Sequence, residues 1–216
     1  MKGLEQGLRS GLTALGLGLD DAQIAQLLSY QQLIQKWTQV YNLTAVRDPA
    51  EMLTHHLLDS LAAVQPLRRQ TQARPVTLLD VGSGAGLPGA VFAICCPEIQ
   101  VDCVDTVAKK AAFIQQVAVS LKLPNLRGVH ARVEKLAGPY DVISSRAFAS
   151  LPDFAVWSSG ALAEQGVWMA LKGKRPDDEI AALPPGVAVF HVEQLKVPGL
   201  QAERCIVWLK KAGAVA

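Results

Sequence analysis

The chain has 216 residues, half of them hydrophobic and 19% charged, with a formal net charge of +2. That balance excludes intrinsic disorder and suits one α/β domain with an extension. No run approaches the roughly 18 consecutive apolar residues of a membrane span, and no apolar leader core opens the chain, so the expectation is a soluble cytoplasmic protein.

The first 65 residues are helical in pattern. Asp20 or Asp21 can cap a helix that carries Ile24, Leu27, Leu28, Leu33, Ile34 and Trp37 at three and four spacing. Asp48-Pro-Ala-Glu51 then offers an N-cap, a proline at the first helical position and a glutamate at the third, ahead of Met52, Leu57, Leu58, Leu61 and Val64. His56, Asp59, Tyr41 and Asn42 in this region could face a site, but hydrogen-bonded packing is the commoner use of such residues when buried. Arg68 to Pro75 is polar without a period and is predicted to be a connection, which divides the chain into a helical extension over 1–75 and a core over 76–216.

From Val76 onward strands and helices alternate, as in a doubly wound parallel sheet. Val76 to Val81 is a short buried strand. Gly82, Gly84, Gly86 and Gly89 follow, with Pro88 suited to the first turn of a helix through Cys96. Gln100–Asp105 is the second strand and Thr106–Leu121 the next helix. Asn125–His130, Tyr140–Ser145 and Gly166–Leu171 are strands three to five, with helices near Leu151–Ser158 and Pro176–Ala181. Val187–Val197 and Glu203–Lys210 complete the sheet across a turn at Pro198-Gly199.

A strand, a glycine turn and a helix form a nucleotide-type site at the carboxyl edge of a sheet. Gly84, Gly86 and Gly89 fit G-x-G-x-x-G, a weak signal alone, which in dinucleotide enzymes holds a pyrophosphate. Asp80 at the strand end disfavours a phosphate. The order Asp80-x-Gly82-x-Gly84-x-Gly86 suits S-adenosylmethionine (SAM) better, because that ligand carries an ammonium and a sulfonium. Asp105 stands about 20 residues past the loop, where a carboxylate can accept both ribose hydroxyls of an adenosine, or cap the helix that follows.

Three segments carry a more specific resemblance. Asp80-Val-Gly-Ser-Gly-Ala-Gly-Leu-Pro-Gly89, Ser145-Arg-Ala-Phe-Ala-Ser150 and Tyr41-Asn-Leu-Thr-Ala-Val-Arg47 closely resemble the RsmG (GidB) family of bacterial SAM-dependent methyltransferases, which modify guanine N7 in small-subunit ribosomal RNA. The resemblance runs from about Leu27 to Leu209. It implies a class I methyltransferase fold, Rossmann-like, with a seven-stranded mostly parallel sheet and an N-terminal helical extension. It also implies SAM contacts from Gly82, Leu87 and Arg146, with adenine held by Val133 and Glu134. Arg146 could alternatively clamp the SAM carboxylate or an RNA phosphate.

Absent motifs narrow the reaction. Cytosine C5 methylation needs a Cys nucleophile near the end of strand four, where this chain has Ser144-Ser-Arg146, and the Asn-Pro-Pro-aromatic motif of exocyclic amine methylation is missing there too. Guanine N7 has an exposed lone pair and no proton to lose, so positioning supplies most of its catalysis and no catalytic side chain is assigned. The expected partner is small-subunit ribosomal RNA or the ribosomal subunit, and the expected protein is a monomer. Seven basic residues stand against two acidic ones between Lys109 and Arg146, and Lys172, Lys174 and Arg175 form a second cluster. Arg132, Lys172, Lys174 and Arg175 are the candidate RNA contacts. The competing readings are a SAM methyltransferase for another RNA, a protein or a small molecule, an NAD-binding oxidoreductase, and a binding module without catalysis. Cys95, Cys96, Cys103 and Cys205 form no C-x-x-C pair, and no metal is expected.

Overall fold

The structure, a computed structural model, describes residues 2–213. The amphipathic N-terminal stretch forms α1 (Lys2–Ala14) and α2 (Asp21–Tyr41). Asp20 starts α2 with a full capping box: its side chain accepts from the Gln23 backbone N–H, and the Gln23 side chain accepts from the Asp20 N–H. Asn42 ends the helix in the left-handed region at φ 49°. Asp48 caps α3 (Pro49–Met52), as its side-chain oxygen accepts from the N–H groups of Ala50 and Glu51. A π-helical turn, Leu53–Leu58, follows directly and runs into α4 (Asp59–Leu61).

Arg68 to Thr71 is helical rather than a connection, because α5 runs from Val64 to Thr71. Its polar side chains have structural partners: Arg68 Nη2 donates to the Cys95 carbonyl at 2.6 Å, and Arg69 pairs with Glu193. Lack of an apolar period there reflects those partners, not an absent helix.

The core strands are β1 (Thr77–Val81), β2 (Gln100–Asp105), β3 (Leu126–His130), β4 (Tyr140–Arg146), β5 (Leu162–Lys172), β6 (Val187–Leu195) and β7 (Arg204–Lys211). β5 starts four residues earlier than the sequence suggests, where Leu162 pairs with Tyr140 ahead of a register shift. The sheet order is β3-β2-β1-β4-β5-β7-β6, and β7 runs antiparallel to both its neighbours. Strands β1 to β5 are parallel, but the chain adds β2 and β3 on one side of β1 and β4 and β5 on the other, which leaves a crevice at the carboxyl ends of β1 and β4. This is the class I SAM-dependent methyltransferase fold.

Side-chain alternation divides the core. Leu78, Val101, Cys103, Val142, Met169 and Ile206 point to one face, under α1, α2, α6 (Gly89–Cys95) and α7 (Ala108–Ser120). Leu79, Val81, Val104, Ile143, Trp168 and Val207 point to the other, under α8 (Leu151–Ser158) and the short α9 (Asp177–Ala181). Gly89 is required for the close approach of α6 to β2, since a Cβ there would lie 2.4 Å from Cys103 Sγ. Pro88 takes the N-cap position of α6, one residue ahead of its first turn. Among the described residues no helix is long and apolar enough to cross a membrane.

Candidate active site

β1 ends in a loop that doubles back over β2. The N–H groups of Gly82 and Ser83 both donate to the Val104 carbonyl, at 2.9 and 3.2 Å. Gly82, Gly84 and Gly86 hold φ values of +65°, +58° and +86°, a path that a side chain would strain. The carboxylate that ends β2 ties this loop down: Asp105 Oδ2 accepts from Gly84 N–H at 3.1 Å, and Oδ1 accepts from Val107 N–H at 2.8 Å. The second contact lies ahead of α7, whose N-cap is Val107, so Asp105 makes a turn before that helix and does not cap it.

Over these strand ends lies a cavity of about 480 Å³. Five of the predicted site residues line it together: Gly82, Asp105, Arg132, Val133 and Glu134. Val133 and Glu134 sit in a short 3₁₀ turn, Val133–Lys135, that follows β3. Apolar walls come from Val81, Val104, Val107, Ala131, Phe148 and Trp157. Arg132, predicted as an RNA contact, belongs to this cavity.

The donor set fits an adenosine-type ligand. Apolar walls suit the faces of a purine, and Asp105 keeps free lone pairs on both oxygens after its two backbone contacts. Lys110 Nζ stands 3.7 Å from Asp105 Oδ2 and balances its charge. Phe148 packs on Gly82, where a Cβ would come within 2.3 Å of its Cδ2, and so closes the cavity above the glycine loop.

Asp80, Leu87, Gly84 and Gly86 do not line the cavity. Asp80 and Leu87 are buried behind the loop. The Asp80 carboxylate accepts from Ser144 Oγ at 2.8 Å and from Gly89 N–H at 3.0 Å. Burial pushes it up to about 6, against the pull of those two hydrogen bonds and of Arg146. Its geometry is that of a bolt joining β1, β4 and α6, not of a counter-ion presented to a ligand.

A second cavity, about 410 Å³, shares Ala147 with the first. Arg146, Lys172, Arg204, His55 and His56 line it, with Asp59 as its one acidic residue. Asp59 is 4% exposed and bridges two strands: Oδ2 accepts from Arg146 Nη1 and Oδ1 from Arg204 Nε, each at 2.8 Å. Arg146 Nη1 also reaches the His55 carbonyl at 3.2 Å. Arg146 is therefore held beside the cofactor-type cavity rather than in it. His56 is packed against Thr44 Oγ1 through Nε2 at 2.7 Å, and burial pulls its pKa below the ordinary value. His56 and Asp59 thus do what packing residues do and also form a cavity wall.

Of the remaining predicted RNA contacts, Lys172 belongs to this wall, while Lys174 and Arg175 lie beyond it. Lys172 donates to the Ala149 carbonyl at 3.0 Å and pairs with Glu179 at 2.8 Å, while Arg175 pairs with Asp177 at 2.7 Å. Lys172, Lys174 and Arg175 line one depression. Arg204 is the wall residue that sequence reading missed; it lies 145 positions from Asp59, and an isolated arginine at the start of a strand carries no local signal.

Comparison with known proteins gives consistent neighbours. The family description "GidB: rRNA small subunit methyltransferase G" matches residues 23–207. A protein of Polaromonas sp. (strain JS666), named ribosomal RNA small subunit methyltransferase G, is 68% identical over 220 residues, covering all of this chain and 97% of the relative. One of the same name from Acidovorax sp. (strain JS42) is 70% identical over 214 residues, covering 95% of each. Among solved structures, TrmN from Thermus thermophilus superposes with a TM-score of 0.57 at 22% identity, over 74% of this chain and 53% of that one. A SAM-dependent methyltransferase from Aquifex aeolicus gives 0.55 at 15% identity, over 76% and 99%. These two structural likenesses speak for the fold alone.

Proposed function

Since the chain belongs to the rRNA small subunit methyltransferase G family, we propose that it methylates N7 of a guanosine in small-subunit ribosomal RNA, in the cytoplasm, with SAM as methyl donor. The observation that carries this reading is the pair of cavities meeting at Ala147, one with apolar walls and the carboxylates of Asp105 and Glu134, the other cationic. Asp105 would accept the ribose hydroxyls, and Val133 and Glu134 would flank the adenine. Gly82, under the Phe148 ring, would form part of the cavity floor, and Asp80, Gly84, Gly86 and Leu87 would support that surface from behind. Bound there, SAM supplies a sulfonium methyl group. The target base would enter the second cavity, beside Arg146, with Arg132, Lys172, Lys174 and Arg175 near its phosphates. Arg146 and Arg204 present cationic donors to an anionic strand, and Asp59 holds both in fixed orientation.

The test is methyl transfer from labelled SAM to isolated small subunits and to their deproteinised RNA, with the modified base identified by mass spectrometry. The expected product is 7-methylguanosine. Label on another base, on protein or on small molecules would overturn the assignment. In a folded Asp105→Ala protein, SAM binding should weaken by on the order of 2–4 kcal/mol, because two ligand hydroxyls lose their acceptor. Single-turnover rates should stay flat with pH around neutrality, since N7 carries no proton to remove.

A further inference from the structure

The glycine loop is turned by its own chain, with the Gly86 and Leu87 N–H groups donating to the Ser83 carbonyl at 2.8 and 3.0 Å, but its Ala85 carbonyl is fastened from outside the loop. Ala85 lies between Gly84 at φ +58° and Gly86 at φ +86°, so the backbone on either side can rotate at low cost. Its carbonyl cannot turn to water, because Ala85 is buried. It accepts instead from Tyr30 Oη at 2.6 Å, a hydroxyl delivered from α2, 55 residues earlier. Tyr30 is itself fully buried, and its oxygen lies 3.2 Å from the place a Cβ on Gly86 would take. Burial pushes the phenol well above its ordinary value, so it keeps its proton. Earlier in the same loop, Gly84 N–H donates to Asp105 Oδ2 at 3.1 Å.

We propose that Tyr30 is a positioning residue for the cofactor: its hydroxyl fixes the Ala85 carbonyl, and through the loop backbone it steadies Gly82 and the Asp105 carboxylate, which line the adenosine cavity. The inference rests on the cofactor reading above and extends it to the helical extension. α2 is attached to the core elsewhere too, since Gln26 Nε2 donates to the Leu121 carbonyl at 2.8 Å at the end of α7. That contact lies away from the loop and provides the control.

The experiment compares Tyr30→Phe and Gln26→Ala in the full chain. Tyr30→Phe keeps the ring that fills the core and removes only the donor. SAM affinity by calorimetry should weaken about five- to tenfold, the equivalent of one lost buried hydrogen bond. Amide exchange over residues 82–89, measured without any ligand, should speed up. Gln26→Ala should lower the denaturation midpoint and leave both readouts unchanged. SAM affinity within twofold of wild type in Tyr30→Phe would overturn the proposal, with or without faster exchange. Equal losses of affinity in the two variants would also overturn it, as they would show a general effect of α2 docking. Wild-type protein that binds no SAM would remove the functional reading itself, while the exchange measurement would still decide whether Tyr30 holds the loop.

Discussion

Asp80 sits with no access to water, and its two hydrogen bonds do not repay the loss of hydration, which is why its pKa rises from 3.8 to about 6. The native state then binds the proton more tightly than the unfolded state. Its contribution to stability is fully present below the unfolded value and is lost as pH rises through about 6. Asp80→Asn keeps both contacts, with the amide NH₂ donating to Ser144 Oγ and the carbonyl accepting from Gly89, but cannot ionise. The stability of wild type relative to Asp80→Asn should therefore fall by on the order of 1–3 kcal/mol between pH 4.5 and 7, read from denaturant midpoints. A difference that does not change with pH would show that Asp80 is not titrating as a buried acid. The residue illustrates what sequence can locate but not orient. A carboxylate at the end of β1 was legible, whereas its direction depends on Ser144, 64 positions away, and on a loop whose path follows from three positive-φ glycines.

At the scale of elements, the glycine loop, the alternation of strands and helices and the N-caps at Asp20 and Asp48 were all visible as local chemistry. The π-helical turn over Leu53–Leu58 was not, because an apolar period records which face is buried and not a single-residue insertion. That turn matters for the site. Asp59 N–H reaches back to the Thr54 carbonyl, and the His55 carbonyl accepts from Arg146 instead. The same turn aims Asp59 between Arg146 of β4 and Arg204 of β7, which joins the helical segment to two strands of the core. Removing the charge leaves two guanidinium groups close together with no carboxylate between them. Asp59→Asn should cost about 2–3 kcal/mol, below the full penalty for breaking a buried pair because both arginines are partly exposed. Chemical denaturation would test this, and a loss under about 0.5 kcal/mol would place the pair among surface contacts of little weight.

For the whole molecule, the division at residue 75 follows the order of the chain but not the packing. One continuous apolar cluster runs from Leu8 in α1 through Leu27, Tyr30, Met52, Leu57 and Leu61 to Phe92, Ile114 and Trp208. Each of the helices before β1 contributes side chains to it that are almost wholly buried. A fragment starting at residue 76 would therefore expose one whole face of α6 and lose Tyr30 from the glycine loop. Its own second cluster, built on α8 and the other sheet face, is much smaller. The full chain should unfold in a single transition by near- and far-ultraviolet circular dichroism, because the extension and the sheet share that core. The 76–216 fragment should keep some secondary structure, bind a hydrophobic dye and lack fixed near-ultraviolet signal, the signature of lost side-chain packing. A fragment that unfolds cooperatively with a native near-ultraviolet spectrum would show that the sheet and its remaining helices form an independent domain, and that the extension was added to a core already complete.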